Sequence, residues 1–332
     1  MEMRETLTGW LETHYALGPQ PDCHLLRSHT NDVYVVTSTQ GRYVLKVYGV
    51  GWRTEEEVRY ELAFLRHLAA QGMRIAGPIP RCDGDWVGVL ETPEGARCVA
   101  LFEYAPGSKP ESPFSPTLYH AFGHAIGTMH TLSDSFVAEQ KRRPLDLRYL
   151  LEEPLALALP LIEASEDRSY LAGLGERVSR EIAARAKEGL DWGPVHGDAS
   201  LDNLHVTADG SVVLYDFDSG GTGWRALDLQ GWAKNQPEFK EKWQAFRSGY
   251  AEAHPLQQND LEAAPYLTLA TDIWGLQVEL TRRVLPQGPE AVHAYLSGRI
   301  AWLREREKVL MPFSDVGFQP ASVLGTRPLW RL

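Results

Sequence analysis

Between Cys23 and Tyr48 the chain clusters β-branched and aromatic residues in two runs, VYVVT and RYVLKVY, joined through STQG. The pattern predicts strands linked by a glycine-containing hairpin connection. Ahead of them, residues 1–20 read as a short helix that ends near LGP, where Gly and Pro supply stop signals. After Tyr48, Thr54 stands as an N-cap before Glu55, Glu56 and Glu57, where a helix dipole favours negative charge. That helix continues through VRYELAFLRHLAAQG, with Val58, Leu62, Leu65 and Leu68–Ala69 as its apolar stripe and Gly72 closing it. GPIP then breaks the chain before two more strands, roughly 85–91 and 97–104, separated by the turn TPEG.

Residues 105–116, APGSKPESPFSP, carry Pro, Gly and Ser without periodicity and read as a linker. Beyond it the pattern is mostly helical, over roughly 118–132, 171–187, 239–253, 261–283 and 291–309. One strand-like stretch, 195–218, interrupts the helices. The organisation is α+β, with a small β-rich lobe over 1–104 and a larger helical lobe over 105–332, and with no internal repeat.

Composition narrows the function. The chain of 332 residues has ample length for two lobes, and its formal net charge of −11 argues against a nucleic-acid partner. An anionic ligand such as ATP remains compatible, because metal ions and a local Lys offset the field. Cys23, Cys82 and Cys98 lack both metal-ligand spacing and an even count, and read as reduced packing residues. The N-terminus MEMRETLTGW has no apolar signal region, and no run approaches a membrane span, so a cytoplasmic protein with no membrane partner is expected.

The chemistry concentrates in VHGDASLDNLHVTADGSVVLYDFD, residues 195–218. Asn203 follows Asp198 by five residues, and the turn ADG folds the strand NLHVT onto SVVLYDFD. The fold-back brings Asp216 beside Asn203, so two hard oxygen ligands converge, an arrangement that suits Mg²⁺ completed by phosphates and water. Asp198, in the preceding loop, is left to accept a proton from an incoming hydroxyl, as phosphoryl transfer requires. Upstream, RYVLKVY sets Lys46 in an apolar strand. A buried Lys needs a partner; ATP phosphates and a Glu from the following helix would supply it.

HGDASLDN, YDFD and the later DLQGW resemble the aminoglycoside phosphotransferase, choline kinase and type II homoserine kinase group, which shares its fold with protein kinases. The resemblance implies a bilobal protein-kinase-like fold, Asp198 as catalytic base, and Asn203 and Asp216 as Mg²⁺ ligands. It further implies His196 as a support of the loop and Asp228 as an anchor of the loop backbone. Its pattern points to Glu61 as the partner of Lys46, with Glu57 one turn earlier as the rival. ALFEYAPG resembles the strand and hinge that hold adenine through the backbone of Glu103 and Tyr104. The loop expected over the phosphates has no glycine in RSHTNDVYVV, which departs from protein kinases and leaves its contacts open, with Ser28 to Asn31 as the candidates. Asp218 makes DFD where protein kinases carry DFG, and its role is open.

The acceptor site is less sharply drawn. Asp272, Glu279 and Arg283 recur at helical spacing near Trp274 and read either as a receptor for an amine and carboxylate or as a solvated helix face. Asp202 is either a substrate contact or solvated surface. Trp224, Trp232 and Trp243 read as stacking groups or core. The expected activity is ATP-dependent transfer of the γ-phosphoryl group to a hydroxyl of a small molecule such as an aminoglycoside, homoserine or choline. A protein Ser/Thr acceptor is disfavoured by the short span from Asp216 to Asp228. A non-catalytic nucleotide-binding module is disfavoured by intact Asp198, Asn203 and Asp216.

Overall fold

The computed structural model describes residues 2–229, 231 and 236–311, and the chain divides into two compact units. The first takes the chain up to Phe114 together with Thr131–Arg142 and Ser200–Gly220; the second takes Ser115–His130, Arg143–Ala199 and the chain from Gly221 onward.

In the first unit the β-branched runs become one antiparallel sheet. Its strands are β1 (Asp22–Ser28), β2 (Asn31–Ser38), β3 (Gly41–Tyr48), β4 (Pro78–Ile79), β5 (Gly88–Thr92) and β6 (Gly95–Glu103). The order is β1-β2-β3-β6-β4, with β5 on β6. Strand β3 is therefore interior, and its register sets Lys46 opposite Val33 of β2 and Ala100 of β6. Helix α1 (Glu2–His14) buries Leu7 and Leu11 against Val36, Leu45, Val99 and Leu101. Helix α2 (Glu55–Ala70) starts on a capping box: the Glu57 N–H donates to Thr54 Oγ1 at 3.2 Å, and the Thr54 N–H donates to Glu57 Oε2 at 3.1 Å. Its buried face holds Val58, Leu62, Phe64 and Leu65, and Glu61 lies on that face.

The predicted hairpin forms as β8 (Leu204–Val206) and β9 (Val212–Leu214), and it belongs to the first unit. Backbone bonds hold both of its edges. Ser108 and Val206 exchange bonds of 3.1 and 2.8 Å, and the Ala76 N–H donates to Leu214 O at 3.0 Å. The linker-like segment thus supplies one edge of the hairpin that carries Asn203 and Asp216.

The second unit contains most of α3 (Pro116–Ser133), then α4 (Glu153–Ala158), α5 (Ser165–Lys187), α6 (Lys240–Ala253), α7 (Gln258–Glu279) and α8 (Pro289–Leu310). A strand pair absent from the sequence reading, β7 (Trp192–Val195) with β10 (Gly221–Trp224), also lies here. Its sequences, WGPV and GTGW, are too rich in Gly and Pro to show a β pattern. The helical pattern predicted over 261–283 gives way after Glu279 to a π-helical turn, Leu280–Val284. Trp232 lies outside the described residues.

Helices α3 and α6 meet through glycine. A Cβ on Gly123 would lie 2.0 Å from Phe246 O, and one on Gly249 would lie 2.0 Å from His120 O. Only bare backbone permits that approach, and α3 leads directly into His130, whose role in the site is described below. Gly123→Ala is expected to destabilise the protein by about 1–3 kcal/mol through overpacking. Gly298→Ala, in α8 with nothing within 4 Å of the added methyl, should instead stabilise it by up to about 1 kcal/mol. Chemical denaturation of the two variants checks the pair; equal effects would contradict the packing argument.

Candidate functional site

Lys46 is 4% exposed, and β3 aims it at carboxylates from two other elements. Its Nζ donates to Glu61 Oε1 of α2 at 3.1 Å and to Asp216 Oδ1, just past β9, at 3.0 Å. The Tyr48 hydroxyl donates to Glu61 Oε2 at 3.0 Å. Burial alone would strip the proton from Lys46, but the charges of Glu61 and Asp216 outweigh it and raise its pKa well above the usual value. The structure brings Glu61 to Lys46, and gives Glu57 to the cap of α2.

Asp216 adopts the left-handed conformation, φ 66° and ψ 62°. An Asp pays a modest steric penalty there. Its carboxylate lies between two cations, Lys46 on Oδ1 and the Arg27 guanidinium on Oδ2 at 2.6 Å. Burial would raise its pKa, but those two charges hold it well below the usual carboxylate range. Asn203 is 2% exposed and ends a 3-10 turn; its C=O accepts from the Tyr215 N–H at 3.1 Å, which ties it to the residue preceding Asp216.

A cavity of about 620 Å³ in the first unit is lined by the polar Lys46, Glu61, Asn203 and Asp216 and by the apolar Val44 and Phe102. Among the described residues no group of three or more His, Cys, Asp or Glu is arranged to hold a metal ion. A divalent cation here would take its protein ligands from Asn203 and Asp216. Both are hard oxygens, which suits Mg²⁺ with its remaining positions filled by a phosphate-bearing ligand and water.

Glu103 and Tyr104 reach the same cavity. The Glu103 N–H already donates to Gly77 O at 2.8 Å, so a ligand at this edge must use other groups of the hinge backbone. Tyr104 lies under the Arg42 guanidinium, 3.9 Å from ring centroid to Cζ. Asp202 is exposed at the cavity wall. His205 is held by Ala105 O at 2.8 Å and packs edge-on to Tyr104 and Tyr215.

In the second unit the HGD loop turns at Gly197, where φ is +76°. Asp228, in the 3-10 turn Arg225–Asp228, holds that turn: its carboxylate accepts from the His196 N–H at 2.7 Å and the Gly197 N–H at 2.9 Å. The Asp198 N–H donates to His196 Nδ1 at 3.3 Å, which puts the proton of a neutral His196 on Nε2. His130, at the end of α3, adds a third bond to Asp228 at 3.1 Å and meets the Tyr250 hydroxyl at 2.8 Å. Burial lowers the pKa of His130, opposing the charge of Asp228.

On α7, Asp272, Trp274 and Glu279 are all buried, which departs from a solvated helix face. Asp272 accepts from Arg306 Nε of α8 at 3.1 Å, and its backbone C=O accepts from Arg299 at 2.8 Å. Trp274 packs on Tyr149, with ring centroids 5.8 Å apart, and Glu279 lies 3.8 Å from Arg283. Trp224 and Trp243 are core.

Sequence reasoning passed over Arg27, Arg142 and His130. Each acts across a long sequence separation, on Asp216, Asp218 and Asp228 respectively, and no local pattern marks such a pairing.

Fold and site together define a kinase-like phosphotransferase. A sequence model of the phosphotransferase enzyme family matches residues 23–266, and the chain belongs to that family. An uncharacterized protein of Deinococcus radiodurans is 40% identical over 276 residues, 81% of this chain and 79% of that protein. A homoserine kinase of Agrobacterium fabrum is 29% identical over 257 residues, 72% of this chain and 73% of the kinase. The solved structure of a microcompartment-associated aminopropanol kinase shares the fold, with a TM-score of 0.72 at 21% identity, covering 91% of this chain and 97% of that one. No helix among the described residues is long and apolar enough to cross a membrane.

The two glutamates of α2 weighed as the partner of Lys46, Glu57 and Glu61, separate cleanly by mutation. Glu57→Ala is expected to lose a cap worth about 0.5–2 kcal/mol. Glu61→Ala removes one partner of a buried ammonium and should cost about 3–5 kcal/mol. Denaturation midpoints in the opposite order would reassign the partner of Lys46.

Proposed function

We propose that this phosphotransferase moves the γ-phosphoryl group of ATP to a hydroxyl of a small, amine-bearing molecule. The observation that carries the reading is the cavity in which one buried ammonium, Lys46, is held by Glu61 and Asp216 beside the hard oxygen of Asn203. Lys46 binds and orients the triphosphate, and the apolar wall of Val44 and Phe102 receives the base beside the hinge at Glu103 and Tyr104. Asn203 and Asp216 would hold Mg²⁺, which would supply charge neutralisation at the phosphates. Asp198 orients the acceptor hydroxyl and takes its proton as that oxygen bonds to the γ-phosphorus and the bond to the β–γ bridging oxygen breaks, with ADP leaving, while Asp228 and His196 keep its loop in shape.

The names of the homoserine and aminopropanol kinases support an acceptor with both an amine and a hydroxyl. Glu279 and Trp274 are the candidates to meet the amine, by charge and by cation–π contact; Asp202 remains a candidate at the cavity wall. Asp272 is engaged by Arg306, so it contributes to that region by fixing α8 to α7. A small acceptor also fits the span after Asp216. Residues 217–219, 221–224 and 225–228 lie in a 3-10 turn, β10 and a second 3-10 turn.

ATP consumption over a panel of amino alcohols, aminoglycosides and a generic protein acceptor tests the proposal; phosphorylation of the protein acceptor alone would overturn it. Asp198→Ala should lower turnover by about 10²–10⁴-fold with little change in Mg·ATP affinity. If loss of nucleotide binding is the main defect instead, Asp198 is not the base. Lys46→Met keeps the volume of the stem but removes the charge, so the thermal stabilisation by Mg·ATP should shrink; an unchanged shift would defeat the phosphate contact.

A further inference from the structure

The two carboxylates on Lys46 arrive on separate elements, Glu61 on α2 and Asp216 after β9. Lys46 alone does not hold them in register, because either element can shift while its own ion pair stays intact. The residues that span the gap are Asp218 and Arg142.

Asp218 is 6% exposed and carries two sets of bonds. Its Oδ2 accepts from the amide of Asn31, at the start of β2, and from Trp52 Nε1, in the β3–α2 connection, at 3.0 Å. Its backbone C=O accepts from Arg53 Nε at 3.0 Å and from Arg142 Nη2. Asn31 in turn accepts the Gly49 N–H at 3.2 Å. The glycine-free β1–β2 turn and the entry to α2 are thereby fastened to the residue two places past Asp216.

Arg142 closes the other side. Its side chain is 1% exposed, and Nη1 donates to the Glu57 C=O of α2 at 3.2 Å and stands 3.9 Å from Glu61 Oε2. One planar guanidinium therefore bridges the Asp218 carbonyl and the turn of α2 that precedes Glu61. Phe217 seals the same junction, packing edge-on against Phe64 of α2 at 6.0 Å. Burying a guanidinium whose hydrogen bonds go to two neutral carbonyls, with the Glu61 carboxylate no nearer than 3.9 Å, is a poor route to stability, since apolar side chains would fill the space without the desolvation penalty. Its return is geometry.

We propose that Asp218 and Arg142 are positioning residues for phosphoryl transfer, clamping the Asp216 turn to α2 so that Glu61 and Asp216 stay in register on Lys46. The proposal rests on the reading of Asp216 as a metal ligand. Asp218→Ala leaves Asn31 and Trp52 without their acceptor, and Arg142→Met removes the bridge while keeping much of the volume.

The test follows two quantities at temperatures well below each variant's melting point: kcat, and the Mg²⁺ concentration that half-saturates the thermal stabilisation by a non-hydrolysable ATP analogue. Asp216→Asn is the reference and should raise that concentration steeply. Arg142→Met and Asp218→Ala should each raise it about tenfold and lower kcat by a similar factor, the scale of one lost charge-assisted bond. Asp218→Asn keeps an acceptor oxygen and should recover most of what Asp218→Ala loses. Arg142→Lys, which reaches one carbonyl, should fall between parent and Arg142→Met, and it decides the matter if Arg142→Met does not fold. Lower melting points with unmoved kcat and Mg²⁺ titrations would overturn the positioning role and leave both residues merely structural. Should Asp216→Asn itself leave the Mg²⁺ titration unmoved, the metal reading fails and takes the clamp with it. A shift in Asp216→Asn alone sinks only the clamp.

Discussion

A buried ammonium is the constraint on which the first unit's site depends. With Lys46 on an interior strand, its charge survives only because Glu61 and Asp216 lie within about 3.1 Å. At an effective dielectric near 20, each contact is worth roughly 5 kcal/mol before desolvation, and desolvation takes back much of that sum. The net gain is therefore small, but removing either carboxylate leaves a charge with too little compensation. Sheet, helix and hairpin are thus bound to a single atom, Lys46 Nζ. The capping box of α2, the backbone bonds on both edges of the hairpin and the Arg27 contact all bear on where those two carboxylates stand.

The second unit solves an equivalent problem with one carboxylate instead of one ammonium. Asp228 collects the two N–H groups of the HGD turn and the ring of His130, all of them buried or nearly so. A turn that reverses at a positive φ exposes consecutive N–H groups on one side, and an anion is their natural partner. The orientation of Asp198 follows from that turn, since its own N–H bonds to His196. The glycine contacts of α3 with α6 matter here because they set the level at which His130 stands.

Much of this was legible in the chain. The strands around STQG, the cap at Thr54 and the apolar stripe of α2 follow from local preferences that need no tertiary partner. The hairpin bearing Asn203 and Asp216 could be read because a two-strand fold-back about ADG fixes the separation of its ends. Less legible were β7 and β10, whose glycines and proline erase the alternation, and the π-helical turns at Arg148–Glu152 and Leu280–Val284. The α7 residues show the limit of periodicity: Asp272 and Glu279 read as a polar face, yet both are buried, Asp272 where α8 brings Arg299 and Arg306 to it and Glu279 beside Arg283 of the following turn.

By itself, then, the sequence determined the local elements and the chemistry-bearing types: a Lys in an apolar strand, an Asp five residues before an Asn, an Asp past a turn. Those are short-range facts, set by backbone preference and by the reach of a hairpin. Which carboxylate meets Lys46, what holds Asp216 in the left-handed region, and why the second Asp of DFD is buried were decided only by tertiary structure. The partners are Arg27, Asn31, Trp52 and Arg142, and each of their contacts to Asp216 or Asp218 spans more than 70 positions. No local pattern encodes a pairing of that length, because its free energy comes from burying both groups together, and that burial exists only once the chain has folded.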